Sequence, residues 1–404
     1  MNELNPVRER RADVYKGDHL AGLLVRDADD VIFRYTDDYF SSDLPAIATT
    51  IPKTKTEVRA RGGAVPAFFA GLLPEGRRLV ALQRTLKTSS DDEFSQLLAI
   101  GRDCIGDVRV LPEGSDGSDL PSFEPAIGPP AEISFSELFE RAIGDGSSNT
   151  APSIPGVQDK LSDAMLSLPI RQRGGAVILK LGPAAYPRLV ENEAFFLRMA
   201  KSCGIRVPKF EIIHDKDGQS GLLIERFDRQ ISRGRQIRVA QEDAVQLAGR
   251  WPSAKYQMTS KDVFDAVLRV TPAAPVARAH LLRLFVYCYM IANGDLHAKN
   301  VSVYNHPEGT WSLTPGYDLV STLPYGDSRM AIQLDGRDAR LTGSVFISFA
   351  QRIGMTERLA RGIIDEVTAG GELLTSKLSD IGLDAKKSEH LQLTITNRIA
   401  ELRK

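Results

Sequence analysis

The apolar positions of the first 111 residues alternate between strand spacing and helix spacing. Residues 20–25 and 31–35 are β-prone apolar runs separated by a turn composition at 27–30, which predicts a β-hairpin. Apolar residues at helical spacing follow over 68–86. The polar and acidic residues of 89–93 indicate a second helix start, Gly101 is typical of a helix end, and 107–111 is again strand-like.

A second pattern begins after residues 113–131, which are rich in Gly, Ser and Pro and indicate a domain boundary. Strand-like runs at 176–181, 210–214 and 222–227 accompany an amphipathic helix predicted over 191–202. Helical patterns dominate after about residue 240, and 279–292 is apolar on nearly all sides, as in a buried central helix. The predicted organisation is a subdomain at 1–112, a linker at 113–131 and two lobes at 132–229 and 230–404.

The composition is that of a globular protein with an ordinary core. The chain has 404 residues, 42% hydrophobic, with a formal net charge of -1, so two or three domains are expected and a disordered, collagenous or rod-like chain is excluded. The near-zero charge argues against a surface coated in basic residues for nucleic acid. The longest apolar run, 281–292, is shorter than the roughly 20 residues of a membrane span, and no targeting segment is visible.

The three cysteines indicate whether disulfides or a zinc site are expected, and in which cellular compartment the protein works. Cys104, Cys203 and Cys288 lie far apart without a CxxC pair, so no zinc cluster or disulfide framework is expected from them. They fit small buried residues in a reducing environment. We therefore expect a cytoplasmic protein with no membrane partner.

Candidate chemistry begins at the end of the apolar helix, in the polar stretch NGDLHAKN. Asp295 is followed five residues later by Asn300, the spacing of the catalytic loop of protein kinases. There the aspartate orients the proton of the attacking hydroxyl and the asparagine oxygen holds a metal ion. Asp318, after a predicted strand at 311–314, is a candidate second Mg²⁺ ligand. A capped turn explains Asp295 or Asn300 alone, but not the whole set.

The upstream half of the chain offers matching parts. Residues 153–160, SIPGVQDK, form a small-residue loop that can bring backbone N–H groups near phosphates, although such a loop alone is more often a surface turn. Lys180 ends an apolar strand and can neutralise phosphates, with Glu193, or Glu191 as the fallback, as its acidic partner. Residues 225–228, ERFD, fall where a hinge between two lobes is expected.

These segments, in this order, resemble the HipA family of serine/threonine kinases, the toxin half of a bacterial toxin–antitoxin pair. The similar stretches are LLPEGRR, LLAIGRDCIGDVRVLP, SIPGVQDKLS, VILKLGP, ENEAFFLRMAKSCGIRVPKFEII, LLIERFDR, NGDLHAKN and LTPGYDLVST. The resemblance implies an α+β, bilobal protein-kinase-like fold with an N-terminal α/β subdomain and an all-α C-terminal lobe. It also implies ATP and Mg²⁺ as cofactors.

The resemblance further implies a role for each matching residue. Asp295 would be the catalytic aspartate, shaped by His297 and by Lys299 near the transferring phosphate, with Asn300 and Asp318 as Mg²⁺ ligands and Glu193 as a supporting ion-pair partner. The implied ATP-binding residues are Ser153, Ile154, Pro155, Gly156, Val157, Gln158, Lys160, Lys180, Glu225, Phe227 and Asp228; Glu225 and Phe227 would offer backbone groups to adenine, and Asp228 would lie near the ribose. Ser153 falls at the family's autophosphorylation site, with Ser147 and Ser148 as alternatives.

Partners follow from the same resemblance. They are a small HipB-like helix-turn-helix antitoxin, operator DNA bound mainly through that antitoxin, and a protein substrate, in the family an aminoacyl-tRNA synthetase whose phosphorylation stops translation. Two other functions stay open: a small-molecule phosphotransferase of the aminoglycoside or choline kinase type, and a non-catalytic co-repressor subunit. An arginine-rich stretch over 226–238 can touch a nucleic-acid backbone, but a solvated loop is the simpler interpretation.

Overall fold

The computed structural model describes residues 6–115, 129–143, 161–172, 175–232, 235–305 and 309–404. The N-terminal subdomain is an antiparallel five-stranded sheet of order β4-β3-β2-β1-β5, covered by helices. Its elements are β1 Arg11–Lys16, β2 His19–Asp27, β3 Asp30–Tyr35, α1 Asp37–Ser41, β4 Glu57–Ala60, α2 Ala67–Ala70, α3 Gly76–Leu86, α4 Glu93–Ile100 and β5 Val108–Pro112. The predicted hairpin is β2–β3, and the strand predicted at 107–111 is β5.

The helix predicted over 68–86 is wrong as one element, because the chain leaves the helix after Ala70 and re-enters it only at Gly76. Pro74 lies in this break, and proline cannot donate a hydrogen bond inside a helix. The result is a short turn between α2 and α3, in which Leu72 and Leu73 are buried in the core of the subdomain.

The middle part of the chain forms a second antiparallel sheet of order β6-β7-β9-β8. Its elements are α5 Phe135–Ile143, α6 Leu161–Ala164, β6 Leu166–Gln172, β7 Gly175–Leu181, α7 Leu189–Ser202, β8 Phe210–His214 and β9 Ser220–Glu225. Helix α7 buries Phe195, Phe196 and Met199 in the main core. This packing holds the polar residues of α7 at fixed positions beside the central strand β7.

The C-terminal lobe is built around α10, which is buried from Leu284 to Met290 on every side, as predicted from its apolar sequence. Its elements are β10 Arg229–Ser232, β11 Arg235–Arg238, β12 Gln241–Asp243, α8 Ala244–Leu247, α9 Ser260–Val270, α10 Ala274–Met290, β13 Ser302–Asn305, β14 Trp311–Leu313, α11 Gly343–Arg352, α12 Glu357–Thr375 and α13 Ala385–Leu402. The small sheet β12-β13-β14 shows that this lobe is mainly helical rather than all-α. Within the described residues, every helix is too short or too polar to serve as a membrane span.

A buried cluster of charges joins the N-terminal subdomain to the segment between the two lobes. Asp103 contacts Arg226 at 2.6 Å and Arg229 at 2.7 Å, and Asp228 lies between the same two arginines. Arg238 adds a third contact to Asp103, at 3.0 Å. Both Arg226 and Arg229 are buried, so the interpretation of 226–238 as a solvated loop is wrong for these residues.

The charges in this cluster hold each other ionised. Burial alone would raise the pKa of Asp103, but Arg226 and Arg229 outweigh it and move that pKa well below the ordinary range. The pKa of Asp228 is lowered for the same reason. A carboxylate with a lowered folded-state pKa stabilises the fold above its unfolded pKa of about 4 and loses that contribution as the pH falls further.

Removing Asp103 tests the cluster. We expect Asp103→Ala to lower the free energy of unfolding by about 3 kcal/mol, because two buried arginines lose one of the two carboxylates that they share. Urea unfolding at pH 7 measures the change. The matched control is Glu113→Ala, which breaks an exposed pair with Arg11 and should cost less than about 1 kcal/mol. Equal losses in the two variants would mean that the cluster does not hold the subdomain in place.

Candidate active site

The polar loop after α10 is shaped by backbone contacts that its sequence makes available. Asn293 N–H donates to Cys288 O at 2.9 Å as the helix ends, and Ala292 takes the left-handed backbone conformation with φ of 58°. Gly294 N–H donates to Thr322 Oγ1 at 2.8 Å, and Asp295 N–H donates to Asn293 Oδ1 at 2.9 Å. These hydrogen bonds fix the backbone of the loop up to Asp295, and so they fix the position from which its carboxylate extends.

Asp295 itself is buried but keeps a defined polar partner. Tyr256 OH donates to Asp295 Oδ1 at 2.9 Å, and the Tyr256 ring packs edge-on against His297, with 5.1 Å between ring centroids. Nothing in the local sequence around Tyr256 predicted this role, because it lies 39 positions upstream and reaches the loop only through the fold. His297 thus shapes the loop by packing.

Lys180 on β7 lies between two carboxylates. Its Nζ donates to Glu193 Oε1 on α7 at 2.6 Å and also donates to Asp318 Oδ1. Burial would lower the pKa of Lys180, but the charges of Asp318 and Glu193 outweigh it and raise that pKa, so the ammonium stays charged. Burial raises the pKa of Glu193, which is 1% exposed, against the opposing effect of Lys180. Glu191, the fallback partner, contacts Arg188 instead.

Asp318, which accepts from Lys180, is also in contact with Asn300. Asn300 Nδ2 donates to Asp318 Oδ2 at 2.8 Å, and Asn300 Oδ1 accepts from His297 N–H at 3.1 Å. Asn293 Nδ2 donates to Asp318 O at 3.3 Å and so ties the two loops together. Asp318 has a φ of 54°, a left-handed conformation that short polar residues tolerate and that often marks functional loops.

These residues share one cleft. Lys180, Glu193, Asp295 and Asp318 line a single cavity of about 50 Å³. Its remaining lining residues are Leu161, Met165, Ser167, Leu189 and Val320. The oxygens of Asp318 and Asn300 are the hard ligands that Mg²⁺ accepts when phosphate oxygens complete its shell. The donor set therefore fits a magnesium ion bound together with a nucleotide.

Other predicted residues lie elsewhere or are not described. Residues 153–160, which include Ser153 and Lys160, lie outside the described part of the chain, as do Ser147 and Ser148. Glu225 N–H donates to Lys209 O at 2.9 Å, and the ring of Phe227 lies 5.9 Å from that of Tyr317. These contacts place the two residues at the junction of the lobes.

Two predicted residues point away from the cleft. Both oxygens of Asp228 accept from Arg226, and Oδ2 also accepts from Gly106 N–H at 2.9 Å, so this carboxylate is committed to the ion-pair cluster. Lys299 Nζ donates to Gly71 O at 3.3 Å in the N-terminal subdomain. The geometry does not favour a ribose contact for Asp228 or a phosphate contact for Lys299.

Comparison with known proteins agrees with this architecture. A sequence model of the HipA-like C-terminal domain matches residues 152–372, and one of the HipA N-terminal domain matches residues 12–111. The chain belongs to the HipA family. Its kinase-like cleft lies within the part matched by the HipA-like C-terminal domain, and the subdomain that carries Gly71 and Asp103 is the HipA N-terminal domain.

Individual relatives extend the match over most of the chain. The protein Y4mE of Sinorhizobium fredii is 29% identical over 395 residues, 91% of this chain and 92% of that protein. The serine/threonine-protein kinase toxin HipA of Shewanella oneidensis is 30% identical over 80% of this chain and 78% of its own length. A chain in the solved complex of Shewanella oneidensis HipA, HipB and operator DNA has a TM-score of 0.73 at 23% identity, covering 96% of both chains. The α+β, bilobal HipA-like fold is thereby confirmed.

The buried lysine allows a stability test that needs no substrate. We expect Lys180→Met to lower the free energy of unfolding by about 3 kcal/mol at pH 7, because Glu193 is left buried without its counter-charge. The pKa of Glu193 then rises further in the folded variant, so the folded state binds more protons than the unfolded state. The deficit should shrink as the pH falls toward the ordinary carboxylate range. Urea unfolding at pH 5 and pH 7 measures both effects.

The control for this test is Lys261→Met, which removes an exposed pair with Asp265 on α9. It should leave the free energy of unfolding unchanged within error at either pH, because solvent screens an exposed pair. A Lys180→Met deficit that is small, or that does not vary with pH, would contradict the buried ion pair described here.

Proposed function

We propose that this protein is a serine/threonine-protein kinase toxin that uses Mg²⁺ and ATP. The observation that carries the proposal is the convergence of Lys180, Asp295 and Asp318 on one cavity, although they come from three distant parts of the chain. This set combines a buried permanent cation, a carboxylate on a rigid loop and an oxygen-lined metal position. Those are the parts that phosphoryl transfer requires, since catalysis there is mostly positioning and electrostatic stabilisation.

Each residue then has a distinct task in the proposed reaction. Lys180, held by Glu193, binds the phosphates of ATP, and Asp318 with Asn300 supplies the oxygen ligands of Mg²⁺, which neutralises phosphate charge when bound. Asp295, held by Tyr256, orients a serine or threonine hydroxyl of the acceptor for in-line attack on the γ-phosphorus. The hydroxyl oxygen bonds to the γ-phosphorus while the bond between that phosphorus and the β,γ-bridging oxygen breaks. ADP leaves, and the hydroxyl proton passes to Asp295.

The proposed partners rest on the relatives. We propose that a HipB-like helix-turn-helix antitoxin neutralises this chain and binds operator DNA, as in the Shewanella oneidensis complex of HipA, HipB and operator DNA. The proposed acceptor is a protein, by resemblance an aminoacyl-tRNA synthetase, whose phosphorylation would stop translation and growth. Autophosphorylation of Ser153, or of the alternatives Ser147 and Ser148, is proposed as an off-switch, because added phosphate would repel the phosphates of ATP.

The alternative functions are less well supported. A small-molecule phosphotransferase can share the Asp295-to-Asn300 spacing, but it does not account for the N-terminal subdomain that Asp103 and its arginines attach so firmly. A non-catalytic co-repressor has no use for a Lys180–Glu193 pair beside Asp295. A protein kinase therefore uses more of this arrangement than either alternative.

Replacing Asp295 by asparagine tests the catalytic proposal. Asp295→Asn keeps the shape of the side chain but removes the charge that orients the hydroxyl, so transfer of radiolabelled phosphate from ATP should fall by orders of magnitude. Thermal stabilisation by Mg-ATP should survive. Expression of the wild type should slow growth, and phosphopeptide mapping should find phosphate on Ser153 in the wild type only.

The matched control is Asp38→Asn, an exposed carboxylate in the N-terminal subdomain, which should behave as the wild type. Transfer to aminoglycoside or choline acceptors, without transfer to protein, would favour the small-molecule phosphotransferase. Equal growth arrest by the wild type and Asp295→Asn would show that the arrest does not depend on phosphoryl transfer.

The antitoxin proposal predicts a division of labour on DNA. A small basic protein encoded beside this chain should co-purify with it, and the complex should bind a palindromic operator with steep salt dependence. This chain alone, with a net charge of -1, should bind the same DNA weakly. Mobility-shift titrations at two salt concentrations provide the measurement, and tight sequence-specific binding by the isolated chain would contradict the proposal.

A further inference from the structure

We propose that Glu75 of the N-terminal subdomain is a positioning residue of the catalytic loop and acts through Lys255 and Lys299. The proposal rests on the proposed kinase function and deepens it. It assigns to the N-terminal subdomain a part in catalysis, in addition to any part in binding a partner.

The first observation is the charge arrangement around Glu75. Its Oε1 lies 3.5 Å from Lys255 Nζ and 3.6 Å from Lys299 Nζ, and Lys299 Nζ lies 3.9 Å from Asp243 Oδ2. The lysine side chains are only 10% and 11% exposed, so this is a mostly buried group of two ammonium and two carboxylate ions. Without the Glu75 charge, Lys255 and Lys299 would lose the carboxylate that they share, while Lys299 would keep its contact with Asp243.

The second observation is that both lysines belong to the framework of the catalytic loop. Lys299 lies between Asp295 and Asn300 in the sequence, and its carbonyl oxygen accepts from Tyr317 OH at 2.7 Å. Lys255 O accepts from Ala298 N–H at 3.1 Å. A carboxylate that holds both ammonium groups therefore restrains the loop at two points.

The residue next to Lys255 provides a direct link to the reacting group. Tyr256 follows Lys255 and donates to Asp295 Oδ1 at 2.9 Å. A shift of Lys255 would move Tyr256 with it, and hydrogen bonds weaken steeply as their geometry departs from the optimum. Glu75 thus acts on the Asp295 carboxylate through neighbours, without touching it.

The third observation is that α2 and the residues before it, which precede the turn carrying Glu75, are held against the C-terminal lobe. Gln246 Nε2 donates to Phe68 O at 3.0 Å, and Trp251 Nε1 donates to Val65 O at 3.1 Å. Gly71 permits this close approach, because a Cβ there would lie 2.5 Å from Gln246 Cγ. The turn that carries Glu75 therefore starts from a helix that is bonded to the C-terminal lobe.

The test compares Glu75→Gln with Glu113→Gln, a matched change in an exposed pair of the same subdomain. In the full chain, we expect Glu75→Gln to lower the maximal rate of phosphate transfer from radiolabelled Mg-ATP to casein or to the chain itself about tenfold. The ATP concentration for half-maximal rate should stay within about twofold, because Lys180 and Asp318 are untouched, and a tenfold rate change corresponds to about 1.4 kcal/mol. Glu113→Gln should match the wild type.

A double-mutant cycle separates positioning from general destabilisation. Lys299→Met should lower the maximal rate by a similar factor, and the double variant Glu75→Gln/Lys299→Met should lose much less than the product of the two factors. Multiplied losses, or an unchanged maximal rate in Glu75→Gln, would overturn the proposal.

Hydrogen exchange supplies a readout that is independent of activity. Amides of residues 295–301 should exchange faster in Glu75→Gln than in the wild type and Glu113→Gln, while amides of α10 remain protected. Unchanged exchange in the loop would overturn the positioning role. Absence of transfer by the wild type would reject the kinase proposal instead, and the exchange data would still decide whether Glu75 holds the loop.

Discussion

The buried ammonium group of Lys180 is the constraint on which the cleft depends. A charge in this position is tolerated only because Glu193 on α7 and Asp318 on the downstream loop are both within contact. Helix α7 must therefore pack against β7 in one register, and the loop carrying Asp318 must close over the same strand. One desolvated cation thus couples the two lobes.

Two asparagine side chains near this cation, those of Asn293 and Asn300, connect the loops on either side of it. Asn293 contacts the backbone of both Asp295 and Asp318, and Asn300 contacts the Asp318 side chain. Buried amides can both donate and accept, so one asparagine satisfies groups on two different loops. The loops that carry Asp295 and Asp318 are consequently tied together by neutral side chains, which add no charge to the site.

The N-terminal subdomain contributes to this order from outside the cleft. Thr49 donates from its backbone and hydroxyl to Glu242, and Asp103 binds the arginines of the inter-lobe segment. Glu75 approaches Lys255 and Lys299. These contacts fall on three separate segments of the kinase-like part. Subdomain and kinase lobes therefore form a continuous structure in which charge pairs, shielded from water, replace a purely apolar interface.

The sequence by itself determined the local elements and the order of the motifs. Apolar periodicity located the β2–β3 hairpin, α7 and the buried α10, and the spacing of Asp295 and Asn300 indicated a kinase loop, because these signals are confined to a few neighbouring residues. The same local signals located Lys180 and paired it with Glu193, since a strand and the following helix are adjacent in most folds. The family resemblance extended these motifs to nearly the whole chain.

Only the tertiary structure decided which partners several polar side chains contact. Lys299 and Asp228 lie within kinase-like motifs, yet their charges are directed to the N-terminal subdomain, and Tyr256 reaches Asp295 from outside every motif. The arginines of 226–238 read as a solvated stretch because sequence composition does not reveal that Asp103, more than 100 positions away, neutralises Arg226 and Arg229. Charge pairing across such separations depends on how whole subdomains pack, and no local pattern encodes it.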